Sequence, residues 1–320
     1  MLPKIRLAVR DWDYLTPLAL GEVRSPRIEL ELDRVATLPD GIGVDTRYNA
    51  TEASFSRHLS TVVAQDDRAL AIPNFLMRGV RHQCIITHKD SPLKRIEDLA
   101  DKRIGVTGWR DSGSVWTRAI LRRAGVTTED TYWYAGRLTE AHPVQDRLGE
   151  FHSPGRIEAV PGERPMMELL AEGWLDAVFT PFMPSGFFEP GSQFRQLLPD
   201  TRAAQAAYIR EVGYVPGIHL LTLDRSLARA YPWLPNELSD LIDESRRVWT
   251  EKRRRYAETT PFMLNEMLFA ADTLPSGWDA SGLETNRPMI SDFLKEMHDQ
   301  AILPRVLAVE EVFQPLGVEA

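Results

Sequence analysis

Between residues 90 and 180 the chain alternates short apolar runs with amphipathic ones. No other feature constrains its fold as strongly. "RIGVTG" reads as a strand and "DSGSVWTRAILRRAGV" as a helix stopped at Gly125. "TYWYAG", "RIEAVPG" and "LDAVFTP" read as strands, with "ERPMMELLAEG" as a glycine-ended helix before the last. A parallel connection needs a crossover long enough to hold a helix, so this order predicts α/β units on a mainly parallel sheet. Just ahead, "SPLKRIEDLADK" predicts a short helix with Ser91 as N-cap and Pro92 at its first position.

The flanking segments complete the pattern. "KIRLAVR" and "RIELELDRV" alternate charged and apolar residues, as half-buried strands do. "TEASFSRHLSTVVAQ" has helical spacing, with Thr51 as N-cap. "LAIPNF" and "QCIITH" read as strands, Pro73 marking a bend or an edge position. "IHLLTLD" is a further strand, after which the chain turns helical. One helical stripe holds Leu238, Leu241, Ile242, Val248 and Trp249, and another holds Ile290, Phe293, Leu294 and Met297. With 320 residues, the chain exceeds the ~250–300 that one core usually serves, so two lobes are expected. No Gly/Ser linker separates them, so the chain is expected to cross between lobes more than once.

Charge narrows the partners. The formal net charge is −8, which disfavours a general role on nucleic acid. "KRRR", Lys252 to Arg255, reads as the solvated face of a helix. The single cysteine, Cys84, allows no intramolecular disulfide and no Cys-rich metal site. Its apolar neighbours make it a core residue. Arg6, Arg10, Asp11 and Asp13 interrupt the N-terminal segment, so no secretory signal is read there. No run approaches the ~20 apolar residues of a membrane span. The expectation is a cytoplasmic protein with no nucleic-acid and no membrane partner.

P-loop, dinucleotide, zincin and nucleophile-elbow motifs are missing, so any chemistry comes from dispersed residues. "MRGVRHQC" holds the densest donors: Arg78 and Arg81, whose forks suit carboxylates, and His82, which can move a proton near neutral pH. Spacing alone favours the ordinary reading, with both arginines exposed on a loop and His82 a hydrogen-bonded strand residue. His82 and His88 lie six apart, ~20 Å on a strand, too far to share a metal. Asp11 and Asp13 in "RDWDY" stand where the first strand ends, as ligand groups or as turn and cap residues. Glu52, Ser54 and Ser56 stand at helix-start spacing, where backbone N–H groups bind anions. "TGWRDSGSVW" is a second helix entry, with Ser112 and Ser114 as hydroxyl donors and Trp109 and Trp116 as an aromatic wall. His219 opens the return strand.

Taken in order, these segments resemble the 4,5-dihydroxyphthalate decarboxylase family. "DWDYLTPL" is similar to that family's Asp-Tyr-Asp-Arg-Thr-x-Pro-Leu opening, and "TEASFSRHL" to its Ser-Glu-Met-Ser segment. "IPNFLMRGVRHQCI" resembles the Ile-Pro-x-Phe-x-x-Arg-x-x-Arg-His block, the most specific match. "SVWTRAIL", "GIHLLTLDRSLARAYPWLP" and "GLETNRPMISDFLKEMHDQAI" resemble the Val-Trp-x-Arg helix, the His-bearing return strand and the Gly-x-x-x-Asn-Arg segment. Tyr14 and Leu15 depart from the pattern's Arg-Thr, and "GWDASGL" lacks the aromatic residues expected before the last segment. If the missing Arg and Thr touch substrate, another aromatic acid is used here.

The resemblance implies a two-lobed, type II periplasmic-binding-protein-like α/β fold with a helical C-terminal segment. One lobe would combine residues 1–86 and 216–320, the other residues 87–215, with a ligand cleft between them. It implies a carboxy-lyase that converts 4,5-dihydroxyphthalate to protocatechuate and carbon dioxide by protonating the ring carbon bearing the carboxylate. The chemistry needs an acid, a base for the phenol and anchors for the carboxylates. His82 is then the proton donor, with His219 as the next candidate for that role. Arg78 and Arg81 hold a carboxylate, helped by Arg118 and Ser112. Asp11, Asp13 or Glu52 bind the hydroxyls or orient a histidine. Two other readings stay open: a non-catalytic aromatic-acid binding protein, and a related lyase on another hydroxylated ring acid. No cofactor is expected. A divalent metal is left open, with His82, Asp11, Asp13, Glu52 and His219 as donors. Oligomeric state is not legible, although such enzymes often form symmetric homo-oligomers.

Overall fold

The computed structural model describes residues 2–314. Along the chain come β1 (Lys4–Val9), α1 (Thr16–Ala19), β2 (Glu29–Arg34), β3 (Ala50–Ser54), α2 (Phe55–Val63) and β4 (Ala69–Arg78). There follow β5 (Ile85–His88), β6 (Arg103–Val106), α3 (Ser112–Arg123), β7 (Tyr132–Ala135), β8 (Ile157–Ala159), α4 (Met166–Ala171) and β9 (Ala177–Phe179). The rest is β10 (Phe194–Gln196), α5 (Thr201–Val212), β11 (Gly217–Asp224), α6 (Arg225–Ala230), α7 (Leu234–Arg255), α8 (Met263–Thr273), α9 (Leu283–Asp299) and α10 (Val309–Val312). Two units emerge: residues 1–78, 213–292 and 307–320, and residues 79–212 with 293–306. Residues 79–86 and 293–306 thus group with the second unit, and α9 gives residues to both.

The first unit holds a five-stranded sheet in the order β2-β1-β3-β11-β4. β1 runs parallel to β2 and β3, while β11 is antiparallel to β3 and β4. Ile5, Leu7 and Val9 alternate inward along β1 and pack with Leu221, Leu223, Leu238 and Ile242. β4 lies at the sheet edge, and its register with β11 shifts on either side of His219. Pro73 falls in the irregular stretch, where the missing N–H costs no ladder bond.

The second unit holds a six-stranded sheet in the order β10-β5-β9-β6-β7-β8. β6, β7, β8 and β9 are parallel, as the alternation predicts, and β5 and β10 add antiparallel pairs. α4 closes one face with Met166, Met167, Leu169 and Leu170 against Ile86 and Val178. Gly125 and Gly173 take positive φ, at +80° and +74°, just past α3 and α4, ending each helix at a residue without a Cβ.

Two sequence expectations change. "TEASFSRHLSTVVAQ" is not helical from Thr51: residues 50–54 form β3 and the helix starts at Phe55. "SPLKRIEDLADK" forms only a 3-10 turn at Glu97–Leu99. Asp98 Oδ2 accepts from the backbone N–H groups of Lys94 and Arg95 (2.9 and 3.0 Å), and Ser91 Oγ accepts from Leu93 N–H. Such side-chain bonds offer the backbone an alternative to the helix.

Candidate active site

In the first unit, β1, β3 and β11 lie side by side and bring together residues far apart in sequence. Glu52, on the central strand β3, has a fully buried side chain. Its Oε2 accepts from the Arg10 backbone N–H at 2.9 Å and from Trp12 Nε1–H at 2.8 Å. Its Oε1 lies 2.6 Å from His219 Nδ1. With a carboxylate as partner, Nδ1 is the donor, so Nε2 is the nitrogen that carries a lone pair or a second proton. His219 Nε2 bonds to no group among the described residues. The histidine sits where β11 shifts register against β4, with Gly217 paired to Arg78 and His219 to Met77. Such irregularities re-aim a side chain out of a ladder.

Asp11 and Asp13 are not part of this group. Asp11 is exposed and pairs with Arg34 at 2.8 Å. Asp13 is exposed at the start of a 3-10 turn, Asp13–Leu15. The residue of this opening that reaches Glu52 is Trp12, whose neutral indole N–H carries no charge signal beside its two acidic neighbours. Tyr14 and Leu15 both turn to structural use. Leu15 is fully buried, and Tyr14 Oη donates to the Leu76 carbonyl at 2.6 Å. Burial pushes the Tyr14 phenol well above its usual range. Ser54 lies 3.1 Å from Ser56, oxygen to oxygen, at the end of β3.

Arg78, at the end of β4, is otherwise engaged than as a free anchor. Its Nη2 donates to Asn286 Oδ1 at 2.7 Å and to the Ala280 carbonyl at 3.2 Å, and Nη1 to the Val215 carbonyl at 3.4 Å. Asn286 Nδ2 returns bonds to the Ala280 and Gly282 carbonyls. Burial lowers the Arg78 guanidinium to about 10.

In the second unit, Arg81 and His82 open a 3-10 turn that packs on α3 and α5. Arg81 is 4% exposed and its Nε has no hydrogen-bond partner. Its guanidinium lies against the first turn of α3: a Cβ at Gly113 would stand 2.7 Å from Arg81 Nη2. A buried cation therefore meets a helix terminus whose N–H groups and dipole already favour negative charge. Ser112, the first residue of α3, is buried beside it. His82 stacks edge-on to Tyr208 at 5.4 Å, and its buried Nδ1 is unpartnered. Burial pushes its pKa down to about 4, which keeps the ring neutral near pH 7.

Arg118 and Trp116 lie in the core of this unit. Arg118 Nε donates to Gln300 Oε1 at 2.7 Å and Nη2 to the Trp109 carbonyl at 2.8 Å, with Trp109 stacked at 4.0 Å. Burial lowers it to about 9. Trp116 is 2% exposed and packs on Phe293, and Trp109 is equally buried, so the expected aromatic wall is core packing. Cys84 is buried as well. Of the five donors considered for a metal, Glu52 and His219 bond to each other. Among the described residues no three His, Cys, Asp or Glu side chains converge as an ion would need. No helix among them is long and apolar enough to cross a membrane.

Comparison with known proteins bears on the family resemblance and the fold. A family profile described as the periplasmic phosphonate substrate-binding protein of an ABC transporter matches residues 42–142. A 4,5-dihydroxyphthalate decarboxylase from Comamonas testosteroni is 26% identical, the match covering 99% of this chain and 98% of that one. Another, from Pseudomonas putida, is 27% identical over 66% of this chain and 83% of its own. Among solved structures, the alkanesulfonate-binding protein SsuA from Xanthomonas axonopodis pv. citri, bound to MOPS, superposes with a TM-score of 0.58 at 14% identity. That match covers 98% of both chains. The chain is thus similar along nearly its whole length to the 4,5-dihydroxyphthalate decarboxylases, on a periplasmic-binding-protein-like fold.

Proposed function

We propose that this protein is a carboxy-lyase that removes one carboxylate from 4,5-dihydroxyphthalate, yielding protocatechuate and carbon dioxide. The observation that carries the proposal is the Glu52–His219 pair, in which a buried carboxylate fixes one face of an imidazole and leaves Nε2 for a substrate. The relatives named for this activity supply the substrate.

Protonated His219 gives its Nε2 proton to the ring carbon that bears the carboxylate. The hydroxyl para to that carbon gives its proton to a water molecule, from which the product phenolate later takes it back, and the ring passes through a dienone. The carbon–carboxylate bond then breaks, its electron pair returns to the ring, and carbon dioxide leaves. One proton enters the ring carbon for each carboxylate lost. His219 replaces His82 as the proposed donor, because burial holds the His82 ring neutral at working pH. Arg78 is committed to Asn286 and two carbonyls, so the proposal gives it no anchoring role.

Incubation with 4,5-dihydroxyphthalate, followed by carbon dioxide and protocatechuate, tests the reading. The His219→Gln variant should lose ~10²–10⁴-fold in turnover, the usual worth of a general acid, with its circular dichroism unchanged. Full turnover in that variant would remove His219 from the mechanism. Tight binding by the wild type without release of carbon dioxide would make the protein a binding protein for aromatic acids, as its fold also permits.

A further inference from the structure

We propose that the outer face of α8 is a self-association surface, on which two copies of this chain pair about a two-fold axis. α8 packs its N-terminal end at the C-terminal end of α7, where Arg253 Nη2 meets Met263 Sδ at 3.0 Å. The helix is apolar, yet it is among the least covered parts of the first unit. Phe262 is 80% exposed, Leu264 55%, Leu268 61% and Tyr256 57%. Leu264, Leu268 and the exposed Ala271 recur at i, i+4 and i+7, which places them on one stripe. Large side chains seldom stay exposed in such a row on a monomer.

Charge selects a second copy as the occupant. Arg254 and Arg255 are exposed at the α7 end of this hairpin, and Asp272 is exposed at the far end of α8. None of the three has a hydrogen-bond or ion-pair partner among the described residues. Residues 263 and 272 are about 13.5 Å apart along the helix, at 1.5 Å per residue. Two α8 helices packed antiparallel, with Leu268 near the axis, bring Asp272 of each copy to the Arg254–Arg255 end of the other. The surface is complementary to itself, which is what an isologous contact requires. Opposed helix dipoles favour the same antiparallel arrangement. Four side chains of this size and exposure present on the order of 500 Å² of apolar surface per copy. A standard interface takes about 800 Å² per partner, so the charged rim supplies the remainder and a moderate affinity is expected.

Sedimentation equilibrium of the full chain between about 1 and 100 μM should show a monomer–dimer equilibrium in that range. The doubly substituted Leu264→Glu/Leu268→Glu protein should be monomeric throughout, with unchanged circular dichroism, since both sites are on the surface. Asp272→Arg should weaken association about tenfold, as should Arg254→Glu/Arg255→Glu. Combining all three charge reversals should restore it, which a merely structural role would not do. A wild-type chain that stays monomeric overturns the proposal. So does association unaffected by the Glu substitutions. Binding of the monomeric chain to anionic phospholipid vesicles, or to a different protein, through this face would also overturn it.

Discussion

Glu52 accepts three hydrogen bonds on a side chain that water does not reach, and each donor constrains something different. The Arg10 N–H ties the carboxylate to the end of β1. The Trp12 indole fixes the plane of the carboxylate, and His219 takes the remaining oxygen. Trp12 is therefore a positioning residue, acting on the histidine through the carboxylate. A hydrogen bond to a charged group is worth about 1.5–3 kcal/mol. Trp12→Phe keeps the ring and removes the donor. It should lower kcat about tenfold, leave KM within about twofold, and move the pH–rate profile. A fall in activity with an unmoved profile would reduce Trp12 to a packing residue. The sequence made the residue types of this site legible, but not their pairing. Glu52 and His219 are 167 positions apart and meet only because β3 and β11 pair. Asp11 and Asp13 are the acidic residues nearest in sequence to the first strand, and the structure sends them to solvent and to Arg34.

At the scale of elements, legibility followed local pattern. β1, β2, β6, β7, β9 and β11, and helices α3, α4, α7 and α9, all lie where alternation or helical stripes predict them. β3 was missed because a central strand covered on both faces need not alternate: Ala50, Thr51 and Glu52 are all buried. The apolar spacing of Phe55 and Leu59 then drew the helix backwards over it. β11 carries a second constraint that no pattern shows. A Cβ at Gly217 would lie 2.5 Å from Phe75 Cδ1 and 2.8 Å from Met289 Cε. Gly217 thus lets β4 and α9 close on β11 two residues before the histidine. Gly217→Ala should destabilise the protein by about 1–3 kcal/mol, the usual cost of overpacking, read as a lower urea midpoint. His219 would be displaced with the strand, so turnover should fall further than the lost stability alone accounts for.

Over the whole molecule, two buried imidazoles make stability depend on pH. His58 on α2 and His82 are each pushed by burial to about 4, from an ordinary value of 6.5. Between those values the unfolded chain binds protons that the folded chain refuses, so stability rises with pH across that window. The contribution is complete above about 6.5 and is lost as the pH falls towards about 4. Denaturant titrations should show a loss on the order of 1–2 kcal/mol per imidazole between pH 7 and pH 5. His58→Leu, which also removes the unpartnered Nε2, should flatten its share of that slope. An unchanged slope in this variant would show that His58 ionises as freely in the folded protein as in the unfolded chain. The 3-10 turn Arg81–Cys84 has a consequence of another kind. It contains the chain's sole thiol, and that thiol is 2% exposed. A thiol reagent can react only when the turn opens. The rate of labelling is therefore a clock for the local unfolding of the segment that carries Arg81 and His82, built into the unmodified protein and free of interference from any other cysteine.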